Sequence, residues 1–348
     1  MFRSDLTLDS TDIVAKKSGV VEKLLKDLDF LMKPTILLMA QVEPYFTLIP
    51  ELEKSCRVIR WQFGNDDWRR ELDKIEGVYV YAHIRVDGPL MDTMPKLKVI
   101  SNFGVGVDHI DLNAASERNI FVGNTPGVLD GATADMTFAL LLAGARNITQ
   151  GDRFARSSDF TSYDPSFMLG QEVHGSVLGI VGLGNIGYQV AKRALAFDMK
   201  VVYHNRTKNE RAESELGVEY LSLNDLLQRA DFVSLNMPLT SDSTRMIGRL
   251  ELNLMKPSAV IVNAARGGVI DHDALLNHLN AGKLHAAALD VTEPEPLPRD
   301  HPLLKLENVI IAPHLGSATH QTRVSMVERS VKNLMAGLSG EPLPWRIA

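Results

Sequence analysis

Apolar residues along this chain fall into two successive series of short runs, each separated by segments of helical spacing. The first series occupies residues 35–40, 57–61, 78–83, 98–103 and 120–124; the second occupies 177–183, 200–205, 231–236, 259–263, 285–291 and 308–312. Each run is too short for a helix core and too continuously apolar for a strand with one wet face. Such runs suit parallel strands covered by helices on both faces. The intervening segments, among them 45–55, 186–197 and 272–279, have helical length and periodicity. The pattern therefore predicts an α/β protein with two Rossmann-like or flavodoxin-like parallel-sheet domains. Residues 130–145 form an apolar stretch rich in Ala and Leu, expected to carry the chain from one domain to the other. A final helix over 317–338 is expected to return to the first domain. The cofactor domain is then inserted into the other. Residues 34–142 with 317–348 are expected to form the substrate-binding domain, and 143–316 the dinucleotide-binding domain. Residues 1–33 stand apart as an N-terminal extension, with Val21, Leu24, Leu25, Leu28 and Leu31 spaced as on an amphipathic helix. Residues 146–175 are polar and aromatic, and are read as an arm embracing a second subunit.

Bulk properties narrow the partners. At 348 residues the chain has room for two cores, and 45% hydrophobic with 23% charged residues is ordinary globular composition. A formal net charge of −6 argues against nucleic acid or an anionic membrane as a partner. No stretch approaches the roughly 20 apolar residues that cross a bilayer. The single cysteine, Cys56, excludes an intrachain disulfide and points to a reducing, cytoplasmic home. The histidines show no ligand-like spacing with Cys56 or paired acids, so no metal is expected.

Candidate chemistry begins at Gly182-Leu183-Gly184-Asn185-Ile186-Gly187, which follows a buried run and opens a helical segment. The first glycine permits a tight turn, the second lets a pyrophosphate approach the backbone, and the third lets helix and strand pack closely. The helix N-terminus offers amides and the positive end of its dipole to the phosphates. An NAD enzyme is expected to carry an acid at the end of the next strand to grip the adenine ribose. Here Asn205 stands at that position, followed by Arg206 and Thr207. A guanidinium suits a ribose 2′-phosphate, which a carboxylate would repel. NADPH is the expected cofactor, with NADH open as the alternative.

Three more segments carry unusual polar residues just after buried runs: 263–268 with Ala264 and Arg266, 289–296 with Asp290 and Glu295, and 312–319 with His314 and Gly316. In a parallel sheet the C-terminal strand ends line the ligand crevice, so the three are expected to converge. Together with Asn-Phe-Gly-Val-Gly-Val-Asp-His-Ile-Asp (102–111) and Asn-Thr-Pro-Gly-Val (124–128), these motifs resemble those of the D-isomer-specific 2-hydroxyacid dehydrogenase family. The resemblance runs from about residue 34 to residue 338. It implies that Arg266 binds the substrate carboxylate and polarises the 2-oxo group, that His314 is the acid/base, and that Glu295, rather than Glu293, orients it. It implies that Val105 and Gly106 present backbone amides to the substrate carboxylate. It also places Thr133, Pro238, Ala264, Asp290 and Gly316 along the cofactor, and residues 81–86 beside the substrate's third carbon. The chemistry asks for these residue types: hydride addition builds negative charge on oxygen, which needs a fixed cation and a proton donor.

Within the family the sequence looks most like glyoxylate/hydroxypyruvate reductases. That implies NADPH-dependent reduction of a small 2-oxo acid in a homodimer, glyoxylate giving glycolate and hydroxypyruvate giving D-glycerate. A larger acid such as 2-ketogluconate remains open. So does a second class, the nucleotide-sensing corepressors that share this fold.

Overall fold

The computed structural model describes residues 33–61 and 67–348, so the helix read between residues 18 and 32 lies outside the described residues. Two compact units divide the chain. One runs to Thr125 and resumes over Met326–Ala348; the other is Pro126–Ser325.

The first unit holds five strands, β1 (Thr35–Ala40), β2 (Arg57–Trp61), β3 (Ile75–Tyr81), β4 (Val99–Asn102) and β5 (Phe121–Gly123). They pair in parallel in the order β2-β1-β3-β4-β5, the flavodoxin-like arrangement. Ile36, Leu37, Val78, Val80 and Ile100 are all fully buried, as expected of strands covered on both faces. The helix His320–Leu338 lies in this unit from Met326 onward and packs closely on the sheet. Its Gly337 stands where a Cβ would come within 2.5 Å of Val99. The Ser330 hydroxyl meets Tyr79 Oη at 2.6 Å, and the Ser330 carbonyl accepts from Ser101 Oγ.

The second unit holds β6 (Val177–Val181), β7 (Lys200–His204), β8 (Glu219–Tyr220), β9 (Phe232–Leu235), β10 (Val260–Asn263), β11 (Ala286–Leu289) and β12 (Val309–Ile311). Their order is β12-β11-β10-β9-β6-β7-β8, all parallel. Relabelled within the unit this is the dinucleotide-binding order, which reverses between β6 and β9. Eleven of the twelve strands lie within or overlap the apolar runs of the sequence. The twelfth, β8, is two residues at the sheet edge, too short to leave a periodic pattern.

The helix Asp130–Ala145 packs wholly within the second unit, burying Ala134, Phe138, Leu141 and Ala145. Gly144 lets it lie close to β10, since a Cβ there would come 3.1 Å from Val260. The units therefore part at residues 125/126 and 325/326, whereas the apolar pattern put the junctions at 142/143 and 316/317. An apolar helix looks the same in sequence whichever sheet it covers.

Candidate active site

The turn after β6 is shaped by what its glycines lack. Gly182 has φ +96°, and a Cβ on it would lie 2.6 Å from the Met237 amide nitrogen, against the backbone after β9. A Cβ on Gly187 would meet the Gly182 carbonyl at 2.4 Å, whereas one on Gly184 would point into open space. The helix Asn185–Ala196 starts there, with no side chain capping its first amides. An open hollow faced by helix-terminal N–H groups suits the phosphates of a dinucleotide.

Asn205 proves to be part of this turn's scaffold. Its Oδ1 accepts the Leu183 N–H at 2.6 Å, and its Nδ2, with that of Asn209, donates to the Leu183 carbonyl. Arg206 and Thr207 follow on the surface, beyond the end of β7. Ile186 packs its side chain toward the core while Asn185 is exposed. Pro238 follows β9, where its carbonyl accepts from Ser243 Oγ at 2.7 Å.

The three polar segments at the ends of β10, β11 and β12 meet in the same unit. After β10, buried Asn263 accepts the Ala265 N–H through Oδ1 and donates through Nδ2 to the Arg266 carbonyl, which folds Ala264–Arg266 into a fixed bend. Arg266 Nη1 donates to the Ala265 carbonyl at 2.9 Å. Gly267 then presses on the chain after β11, where a Cβ would sit 2.0 Å from the Thr292 carbonyl carbon. This backbone-on-backbone contact has no room for any side chain, and it locks the arginine segment to the Glu-Pro-Glu-Pro turn. Beneath that turn, buried His272 donates through Nδ1 to the Glu293 carbonyl at 3.1 Å, because a carbonyl can only accept. Burial pulls the His272 pKa below the ordinary imidazole value.

His314 Nδ1 lies 2.7 Å from Glu295 Oε1. With the carboxylate accepting, the imidazole carries its hydrogen on Nδ1, and proton exchange falls to Nε2. The His314 backbone is left-handed, φ +56°, a conformation that costs a non-glycine residue on the order of 1 kcal/mol. Asp290 holds it there. The Asp290 carbonyl accepts the His314 N–H, and its two carboxylate oxygens accept from Leu315 and Gly316, each at 2.7 Å. Burial raises the Asp290 pKa, and those two amides draw it back. A Cβ on Gly316 would meet both Asp290 and Thr133 at 3.2 Å, so Thr133, Asp290 and Gly316 lie together.

Within the first unit, Val105 and Gly106 sit in a loop after β4 whose carbonyls are clamped by asparagines. Asn102 Nδ2 donates to the carbonyls of Gly104 and Gly106, and Asn124 Nδ2 to that of Val105. His109 Nε2 contacts Asn102 Oδ1 at 3.0 Å, and the His83 ring meets the His109 ring at 5.3 Å. Ala82, in the loop after β3, has φ +81°.

A sequence model described as D-isomer specific 2-hydroxyacid dehydrogenase, NAD binding domain, matches residues 138–316. Glyoxylate reductase of Thermococcus litoralis is 42% identical over 321 residues, which cover 90% of this chain and 96% of that one. The chain belongs to the D-isomer-specific 2-hydroxyacid dehydrogenase family. It is an NAD(P)-dependent oxidoreductase of that family. Among solved structures, the TT0316 protein of Thermus thermophilus superposes with a TM-score of 0.81 at 43% identity, over 90% of this chain and all of that one. The NADPH-dependent glyoxylate/hydroxypyruvate reductase of Sinorhizobium meliloti, in complex with NADP and malonate, gives 0.82 at 30% identity, over 91% and 97%.

In this dehydrogenase the supporting residues were the ones hidden from sequence reasoning: Asn263 under the arginine bend, Gly267 at the backbone crossing, His272 below the Glu-Pro-Glu-Pro turn, and the clamps Asn102, Asn124 and Asn209. Asn102, Asn124 and Asn263 share one signal, an amide residue at or beside the end of an apolar run, which marks a strand end without saying what it holds. No group of three or more metal-ligating side chains is found among the described residues, and no helix there is long and apolar enough to cross a membrane.

Proposed function

We propose that this dehydrogenase uses NADPH to reduce glyoxylate to glycolate and hydroxypyruvate to D-glycerate. The observation that carries the reaction is the 2.7 Å His314–Glu295 pair, set on the strand-end edge that also bears Arg266. The narrower substrate choice is supported by the names of the relatives, and the NADPH preference by Arg206 at the end of β7 with no acid at Asn205.

A nicotinamide held beside Thr133, Asp290 and Gly316 would supply the hydride that reduces the 2-oxo group. Arg266 stabilises the charge that gathers on the carbonyl oxygen, and His314 Nε2 delivers the proton that neutralises it. Glu295 holds the ring on its Nδ1 side, which leaves Nε2 for the exchange of this proton. The amides of Val105 and Gly106 take the carboxylate. In the oxidative direction neutral His314 removes the hydroxyl proton.

A homodimer in the cytoplasm completes the reading. The dimer is supported by the excursion after the helix Ile148–Ala155, where Phe160 and Phe167 contact the ring of Phe154 on that helix while Phe160, Tyr163 and Leu169 face outward. Exposed apolar clusters of this kind mark interaction surfaces.

The test follows NADPH oxidation at 340 nm with glyoxylate, hydroxypyruvate, pyruvate and 2-ketogluconate in parallel, then repeats it with NADH. Fast turnover of the first two with NADPH is expected. Preference for 2-ketogluconate, or equal use of NADH, would replace the substrate or the cofactor in this reading. Silence with all four would bring forward the nucleotide-sensing alternative.

A further inference from the structure

The loop that carries Val105 and Gly106 is held from a distance. We propose that Asn124, Asn333 and the segment 345–348 are positioning elements for the substrate carboxylate, acting through the Val105 carbonyl. The inference rests on the reading that the Val105 and Gly106 amides receive that carboxylate.

A trans peptide is planar, with its C=O and N–H on opposite sides. Fixing the Gly104 carbonyl therefore aims the Val105 N–H, and fixing the Val105 carbonyl aims the Gly106 N–H. The Gly104 carbonyl accepts from Asn102 Nδ2 and from the Thr125 N–H, both at 3.1 Å. The Val105 carbonyl accepts from Asn124 Nδ2 at 2.8 Å. The direction of the Gly106 amide thus depends on where Asn124 stands.

Asn124 lies just past the end of β5, and both of its backbone groups are tied to later parts of the chain. Its N–H donates to the Trp345 carbonyl at 3.2 Å, and its carbonyl accepts from Asn333 Nδ2 at 2.9 Å. Asn333, fully buried on the helix His320–Leu338, in turn accepts the Trp345 N–H through Oδ1 at 3.0 Å. Both ends of its amide are used, and a buried amide left half satisfied is costly, so the arrangement is specified rather than loose.

Residues 345–348 run antiparallel along β5 as an added edge. Gly123 bridges to Arg346, the Ile347 N–H donates to the Val122 carbonyl at 2.8 Å, and the Val122 N–H donates to the Ala348 carbonyl at 3.0 Å. Two cation–π contacts pin this edge: Arg329 stands 4.0 Å over the Trp345 ring, and Arg346 stands 4.4 Å over Phe121. Gly123 leaves the space Asn333 needs, since a Cβ there would lie 2.6 Å from Asn333 Nδ2. The last residues of the sequence are thereby connected, through two asparagines, to the peptide that faces the substrate.

Three full-length variants test this: Asn124→Ala removes only the bond to Val105, Ile347→Pro removes one edge N–H, and Asn333→Leu removes the buried link. Steady-state kinetics with glyoxylate, NADPH affinity and the affinity of the cofactor-bound enzyme for oxalate are measured on each. N124A is expected to raise the KM for glyoxylate and weaken oxalate about 10-fold, the scale of one buried hydrogen bond. Its kcat is expected to stay within about 3-fold and its NADPH affinity unchanged, the pattern of lost uniform binding. I347P should show the same pattern at about 3-fold. An unchanged KM in N124A would overturn the inference, as would a parallel loss of kcat and NADPH affinity, which would mean general loosening. If the native enzyme leaves glyoxylate untouched, the substrate reading fails while a 10-fold weaker oxalate affinity in N124A still supports the positioning role. If oxalate does not bind the native enzyme either, the carboxylate loop and this inference fall together.

Discussion

Two corners of the second unit, one after β6 and one after β10, β11 and β12, are built in opposite ways. The glycine turn at 182–187, proposed to take the cofactor's phosphates, works by leaving side chains out: Gly182 and Gly187 let backbones touch, and Gly184 keeps space open before the helix amides. The corner proposed to carry the reaction works by holding side chains in place. A left-handed His314 is fixed through three bonds to Asp290, and Arg266 rides on a bend tied by Asn263 and pressed down at Gly267. A diffuse, delocalised anion needs only a field of N–H dipoles. A proton transfer needs one atom at one distance, and that takes a scaffold.

The comparison breaks most sharply at Arg266. R266A is expected to lower kcat/KM about 10³-fold, the scale of a lost oxyanion partner, while NADPH affinity measured by fluorescence stays near native. Normal turnover would remove the arginine from the reaction. H314Q follows, with kcat down about 10²-fold and little change in KM; a pure KM effect would deny it the proton. At the other corner, G184V should fold normally, since its side chain enters open space. It should weaken NADPH about 10²-fold as it displaces charge-assisted phosphate bonds. Native affinity in that variant would show that the hollow is not the phosphate site.

Arg206 sharpens the cofactor side: R206A should raise the KM for NADPH about 10-fold and leave that for NADH within about 2-fold. Equal losses would remove the 2′-phosphate argument. The smallest effect concerns pH. Burial holds the His272 pKa below its unfolded value of about 6.5, so its contribution to stability is present above that pH and is lost as pH falls through the lowered folded value. Thermal unfolding midpoints should therefore drop between pH 7.5 and pH 5, and drop less in H272Q. Identical drops in both would show that the proton goes elsewhere.

Much of this molecule was legible because parallel strands buried on both faces leave continuous apolar runs, and because glycine turns leave gaps of fixed spacing. Eleven strands, the glycine turn after β6 and the polar strand-end segments all came from such local patterns. The family motifs pointed to Arg266, Glu295 and His314 for the same reason, since each sits within a few residues of a strand end.

Tertiary structure alone decided which sheet the helix Asp130–Ala145 would cover, because an amphipathic or apolar helix carries no address. It alone made Asn205 a clamp on Leu183, and joined Asn333 and Trp345 to Asn124 across more than two hundred residues of chain. A side-chain amide can donate and accept in many settings, and its partner is chosen only when the sheets close. The amino-acid order thus determined the elements and the chemistry at their ends, while long-range packing determined the hydrogen bonds that aim them.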